Sequence, residues 1–184
     1  MKIWLLQEDV NNFEHLTLAD ANDELWNEFS SYFNGESIES NWKALRLKII
    51  EHSGTLSKSD VPYLSPGVLV FSREAINTLQ KYLKDNAEIL CTEGCEGNYR
   101  LINVIKLIDG IDYKKSRIEY YSDKKRIMAI DKYAFFVDKV KEQHIFKIKE
   151  LPKADVFVSD DFRRKVIESG LKGFKFIEVW DSNE

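Results

Sequence analysis

Two stretches of the chain follow one plan. "VLVFSREAINTL" from Val68 to Leu79 and "VFVSDDFRRKVI" from Val156 to Ile167 each run a short apolar β segment into a serine and then an amphipathic helix. Neither a half-apolar strand nor a one-striped helix can bury itself alone. A chain with two such units must build layers in which helices cover sheet, an α+β architecture. Serine suits the junction because its side-chain oxygen accepts a free backbone N–H of the first helical turn. Ser72 and Ser159 are therefore read as helix caps. In the second unit Asp160 and Asp161 meet the positive end of the helix dipole. Phe162, Val166 and Ile167 are its expected buried face, and Gly170, with Leu171 folding back, its stop. In the first unit Ile76, Leu79 and Leu83 share a face, and Asn86 is the expected left-handed terminator.

A strand–serine–helix junction is also the outline of a catalytic elbow. A nucleophilic serine needs a base, and His15, His52 and His144 lie in unrelated segments of the sequence. The strained elbow needs flanking glycines, where this chain has Val158 and Asp160. Catalysis at Ser159 is not expected.

The remaining segments read mostly as short strands. "KIWLL" puts Ile3 and Leu5 on one side and Trp4 and Leu6 on the other, and "ALRLKII" alternates as a half-buried strand. "EHSGTLSKSDVPYLSPG" is a loop. "EIL" and "YRLINVIKL" flank the turn "EGCEGN", and "RIEYYSDKKRIMAI" is a second hairpin. "KYAFFVD" and "HIFKIKELP" add two more β-rich segments. Asn34-Gly35 marks a turn, and Leu25, Trp26 and Phe29 permit a helical turn or two before it. At 184 residues this fits one domain, 1–184, with an acidic subregion over 1–42.

Charge is segregated. Residues 1–42 hold nine acids against Lys2 alone, a net of −8, whereas the remainder of the chain carries +4. Such asymmetry bears on partners and steering, not on fold. Within it, Asp20, Asp23, Glu24, Glu28, Glu36 and Glu39 are interleaved with Trp26, Phe29 and Tyr32, acids and aromatics suited to a protein interface.

Other constellations are weak. Cys91 and Cys95 supply two of the four ligands that a structural zinc needs. Neither a glycine-rich phosphate loop nor a dinucleotide fingerprint is present, so no cofactor is expected. Asp109, Asp112 and Glu119 could form a divalent-metal carboxylate group, the enzymatic alternative. Lys114, Lys115, Arg117, Lys124, Lys125 and Arg126 lie near Tyr113, Tyr120 and Tyr121. Acids punctuate both basic runs, which favours a solvated hairpin face over nucleic-acid binding. No apolar run is long enough to span a bilayer, and "MKIWLLQEDVNN" does not read as a signal peptide. A cytoplasmic location follows as the expectation.

Four stretches carry a resemblance: "FNGESIESNW" (33–42), "DVPYLSPGVLVFSREAINTL" (60–79), "YRLINVIKLIDGIDYKKS" (99–116) and the long segment from Ile145 to Trp180. The chain resembles a bacterial immunity-protein family of polymorphic toxin systems, immunity family eleven. Where the family has a proline soon after the tryptophan matched by Trp42, this chain has Lys43-Ala44. The resemblance implies an α+β protein, without catalysis or cofactor, that binds and silences a cognate toxin, often a nuclease or other enzyme with a cationic cleft. It identifies no toxin-binding residues. The acidic and aromatic set at Asp20, Asp23, Glu24, Trp26, Glu28, Phe29, Tyr32, Glu36 and Glu39 is the expected contact surface. The other alternative, beside the metal-dependent enzyme, is a general protein-interaction module that self-associates through an exposed strand edge.

Overall fold

A computed structural model of the chain describes residues 1–50, 56–94 and 99–183. In chain order the N-terminal half holds β1 (Lys2–Glu8), β2 (Leu16–Leu18), α1 (Asp23–Ser31), β3 (Leu45–Ile49), β4 (Leu69–Ser72), α2 (Arg73–Leu83) and β5 (Ala87–Leu90). There follow β6 (Thr92–Gly94), β7 (Tyr99–Val104), β8 (Leu107–Ile108), β9 (Arg117–Tyr120) and β10 (Ile127–Lys132). The last elements are α3 (Val137–Val140), β11 (Ile145–Ile148), β12 (Val156–Ser159), α4 (Asp160–Ser169) and β13 (Phe174–Asp181). The architecture is α+β.

The largest sheet runs β13-β1-β12-β11-β8, antiparallel except for the β11–β8 pair. It brings both chain ends together, since β1 pairs with β13 from Lys2↔Asp181 to Glu8↔Phe174. Alternation along β1 is used on both faces. Ile3 and Leu5 join a cluster with Phe146, Phe157 and Phe135, while Trp4 and Leu6 join one with Val158, Phe71 and Phe162. The antiparallel sheet β4-β7-β5 and the sheet β2-β3-β6 complete the core, with β9–β10 as a separate hairpin.

Both strand–serine–helix units are present. Ser72 accepts from Ala75 N at 3.1 Å and Ser159 from Phe162 N at 3.3 Å, so each serine caps its helix. The helices then pack together, with the Tyr82 and Phe162 rings 5.6 Å apart.

Several expectations are corrected. Ile167 is 55% exposed, because α4 buries the stripe through Phe162 and Val166 and Ile167 lies about 100° round the helix from Val166. The left-handed residue after α2 is Asp85 (φ 62°), one position before Asn86, whose side-chain amide instead donates to Tyr82 O at 3.0 Å. "KYAFFVD" is not a strand. Phe135 makes one bridge to Ile111, and α3 begins at Val137. The acidic stretch before Phe33 holds a strand, β2, and a nine-residue helix, more than the expected turn or two. Most of the turn "EGCEGN", with Cys95, and the start of the loop with His52 lie outside the described residues. Among the described residues no helix is long and apolar enough to cross a membrane.

Candidate functional site

Helix α1 starts at Asn22, whose side chain accepts from Leu25 N at 2.8 Å, and Asp23 and Glu24 occupy the first turn where the dipole favours acids. One residue fixes its roll: Phe29, 1% exposed, packs 5.2 Å from the Phe33 ring and edge-on to Trp26 at 5.6 Å. With Phe29 inward, Asp23, Glu24 and Glu28 face solvent. The chain then reverses through Phe33 (φ 57°) and Gly35 (φ 87°), and Asn34 Oδ1 accepts from Glu36 N at 3.0 Å. A short 3-10 turn at Glu39–Asn41 leads to Trp42.

Between α1 and the returning strip from Ser37 to Leu45 lies an open groove of about 540 Å³. Leu25, Phe29, Tyr32, Ile38, Trp42 and Leu45 make its apolar surface, with Glu28 on the helix side and Asn41 and Lys43 on the strip side. Tyr32 and Trp42 meet edge-on at 5.9 Å. Both rings are pinned: the Tyr32 hydroxyl donates to Glu28 at 2.6 Å and the Trp42 indole N–H to Cys91 O at 2.8 Å. The Glu28 carboxylate accepting this bond raises the Tyr32 hydroxyl pKa.

The strip is held from below. Buried Glu88 accepts from the Ser37 hydroxyl, from Ile38 N at 3.0 Å and from Asn103 Nδ2 at 2.8 Å. Burial by itself would raise the Glu88 pKa, but these donors outweigh it and hold the carboxyl below its ordinary value. Asn103 also donates to Glu36 O at 2.8 Å. Lys147, 1% exposed, donates to Phe33 O at 2.7 Å and Gly67 O at 3.1 Å. Gly35 sits so close to Leu107 that a Cβ there would lie 2.5 Å from its side chain.

Of the nine residues expected from sequence, Glu28, Phe29 and Tyr32 line the groove. Asp20, Asp23, Glu24, Glu36 and Glu39 are exposed outside the lining, and Trp26 is half-buried against Phe29. Phe29 contributes to the groove wall while its ring is almost wholly buried against Phe33 and Trp26. Sequence reasoning missed Ile38, Asn41, Trp42 and Leu45, although Trp42 closes "FNGESIESNW". It also missed Glu88, Asn103 and Lys147, whose roles arise only from long-range contacts.

Residues 93–181 match the immunity protein family (Imm11). Over these residues the chain is similar to the Imm11 immunity proteins. The match spans two of the four stretches that carried the resemblance, 99–116 and 145–180, and no curated protein matches the chain. The groove lining lies before the Imm11 segment, but Asn103, Leu107 and Lys147, which hold the 33–36 turn, lie inside it.

The other candidates also fall within the Imm11 segment. Fold pairing brings His144 Nδ1 to 3.0 Å from Ser159 Oγ, so the base that sequence separation argued against is adjacent. Ser159 Oγ is nonetheless occupied by the cap to Phe162 N, and the imidazole packs edge-on against Tyr82 at 5.0 Å. Among the described residues no carboxylate hydrogen-bonds that ring, so the contact ties strand to helix without the orienting acid of a triad. Asp109, Asp112 and Glu119 are not gathered. Asp109 faces Lys149 at 3.5 Å, Asp112 accepts from Lys114 N in its own turn, and Glu119 is exposed on β9. Among the described residues no three His, Cys, Asp or Glu side chains converge as metal ligands. In the basic hairpin, Arg117 pairs with Asp131 at 3.1 Å and Arg126 with Asp123 at 2.7 Å while lying over Tyr121.

Proposed function

We propose that this protein binds and silences a cognate toxin in the cytoplasm of the cell that makes both, as a single domain and without catalysis. The family match supports the immunity role. The observation that carries the choice of surface is an acidic helix beside an open groove, joined by the 33–36 turn that Asn103, Leu107 and Lys147 tie to the matched segment. The exposed carboxylates of Asp20, Asp23, Glu24, Glu28, Glu36 and Glu39 lie in the −8 region and would steer a cationic partner. Such steering raises association rates toward roughly 10⁸ M⁻¹s⁻¹ at low salt and fades as salt screens it.

The test pairs this protein with the toxin encoded beside it. Replacing Asp23, Glu24 and Glu28 together by Lys is expected to slow association about tenfold or more at low salt. Asp23 and Glu24 sit in the first turn of α1, so the same change should cost up to about 1 kcal/mol of stability each through the helix dipole. Unchanged association kinetics for the native toxin would reject the acidic face as its landing surface.

A further inference from the structure

We infer that the groove beside α1 receives an apolar anchor side chain from a segment of the toxin that carries lysine or arginine around that anchor. The inference rests on the toxin-binding reading and specifies the chemistry of the partner at the same surface.

Three features converge. The first is unmet apolar surface: Leu25, Tyr32, Ile38, Trp42 and Leu45 are all half-buried around a space of about 540 Å³. Apolar surface gathered in a concave site is what an anchor residue fills, and such anchors dominate interface energy. The second is rigidity. Tyr32 is tied to Glu28, Trp42 to Cys91 O, and Ile38 N to Glu88, so the walls are set before a partner arrives. A site already ordered loses little side-chain entropy on binding. The third is charge. Among the described residues of the lining Lys43 is the one basic side chain, while Asp23, Glu24 and Glu28 on α1 and Glu39 on the facing strip are exposed acids.

An apolar centre with an acidic surround selects an apolar residue with basic neighbours, the pattern of a cationic amphipathic segment. An anionic guest would meet repulsion from α1. A second copy of this chain could offer the basic hairpin with its exposed Tyr120, Tyr121 and Met128, and the test separates that case.

The probes are synthetic helical peptides of about 14 residues. One carries leucine on one face and lysine elsewhere, a second replaces the leucines with serine, and a third replaces the lysines with glutamate. Binding to the full chain is read by calorimetry. The leucine/lysine peptide should bind at least about tenfold more tightly than either control. Asn41→Arg on the exposed rim, which blocks and repels without touching the core, should remove that preference, as should Ile38→Asp if its melting transition is retained. Equal binding of the serine/lysine peptide, or unchanged binding to Asn41→Arg, overturns the inference. Concentration-dependent dimers abolished by Asn41→Arg also overturn it, because the occupant is then a second copy. With the native toxin, sensitivity to the Asp23/Glu24/Glu28 reversal but not to Asn41→Arg would sink this inference and leave the proposed function standing. Insensitivity to both would remove the whole surface.

Discussion

The ammonium of Lys147 donates to the carbonyl oxygen of Phe33, 2.7 Å away and 114 residues earlier in the chain. That one bond joins a central strand of the Imm11 segment to the turn that shapes the groove. It requires a charged group to sit where water cannot reach it.

The burden is measurable. Burial lowers the Lys147 pKa from 10.5 to about 8, against an opposing pull from Asp155. Because the folded value lies below the unfolded one, the unfolded chain binds more protons between those limits. Stability attributable to Lys147 therefore rises as pH climbs from about 8 to 10.5. Lys147→Met should abolish that rise relative to the parent while leaving the Phe33 and Gly67 carbonyls unpaired, at about 1–3 kcal/mol each. Urea denaturation of both proteins across this range checks it, and parallel pH profiles would refute it.

Glu8 should show the opposite sign. Burial raises its pKa from 4.5 to about 7, where it borders a cavity of about 390 Å³ shared with Asp155. The folded state then holds the extra proton, so its contribution is complete below about 4.5 and is lost as pH rises through about 7. Glu8→Gln should flatten the decline across that window, as followed by thermal melts between those values.

Gly35→Ala should destabilise the protein and disturb the groove. The position has φ 87°, and the added carbon would lie 2.5 Å from Leu107. Backbone strain of about 1–3 kcal/mol is expected before the clash with Leu107 is added. A Trp42 fluorescence change without loss of global fold would place the damage at the groove. Wild-type stability would contradict the tight turn.

Ser159→Ala should cost about 1 kcal/mol, the ordinary value of a lost helix cap. Toxin protection by this variant should be unimpaired once stability is matched. Protection lost without any loss of stability would restore a chemical role for the Ser159–His144 pair.

Features written within a dozen residues were legible in the sequence. The two serine caps, Gly170 (φ 73°) as the stop of α4, and the pairing of β5 with β7 and β9 with β10 all emerged where patterning placed them. Periodicity failed where neighbours decide the outcome. Ile167 has the chemistry of a core residue but points off the stripe that α4 buries.

The sequence by itself determined the class of layers, where two helices begin, and that the first 42 residues carry a net charge of −8 against +4 for the remainder. These follow from local propensity and composition, which need no partner. Only the tertiary structure decided that Ile38, Trp42 and Leu45 face α1 across an open groove, and that Glu88, Asn103 and Lys147 hold it open. Burial and hydrogen-bond satisfaction are properties of the assembled chain, and residues 50 to 114 positions apart have no local pattern that announces their meeting.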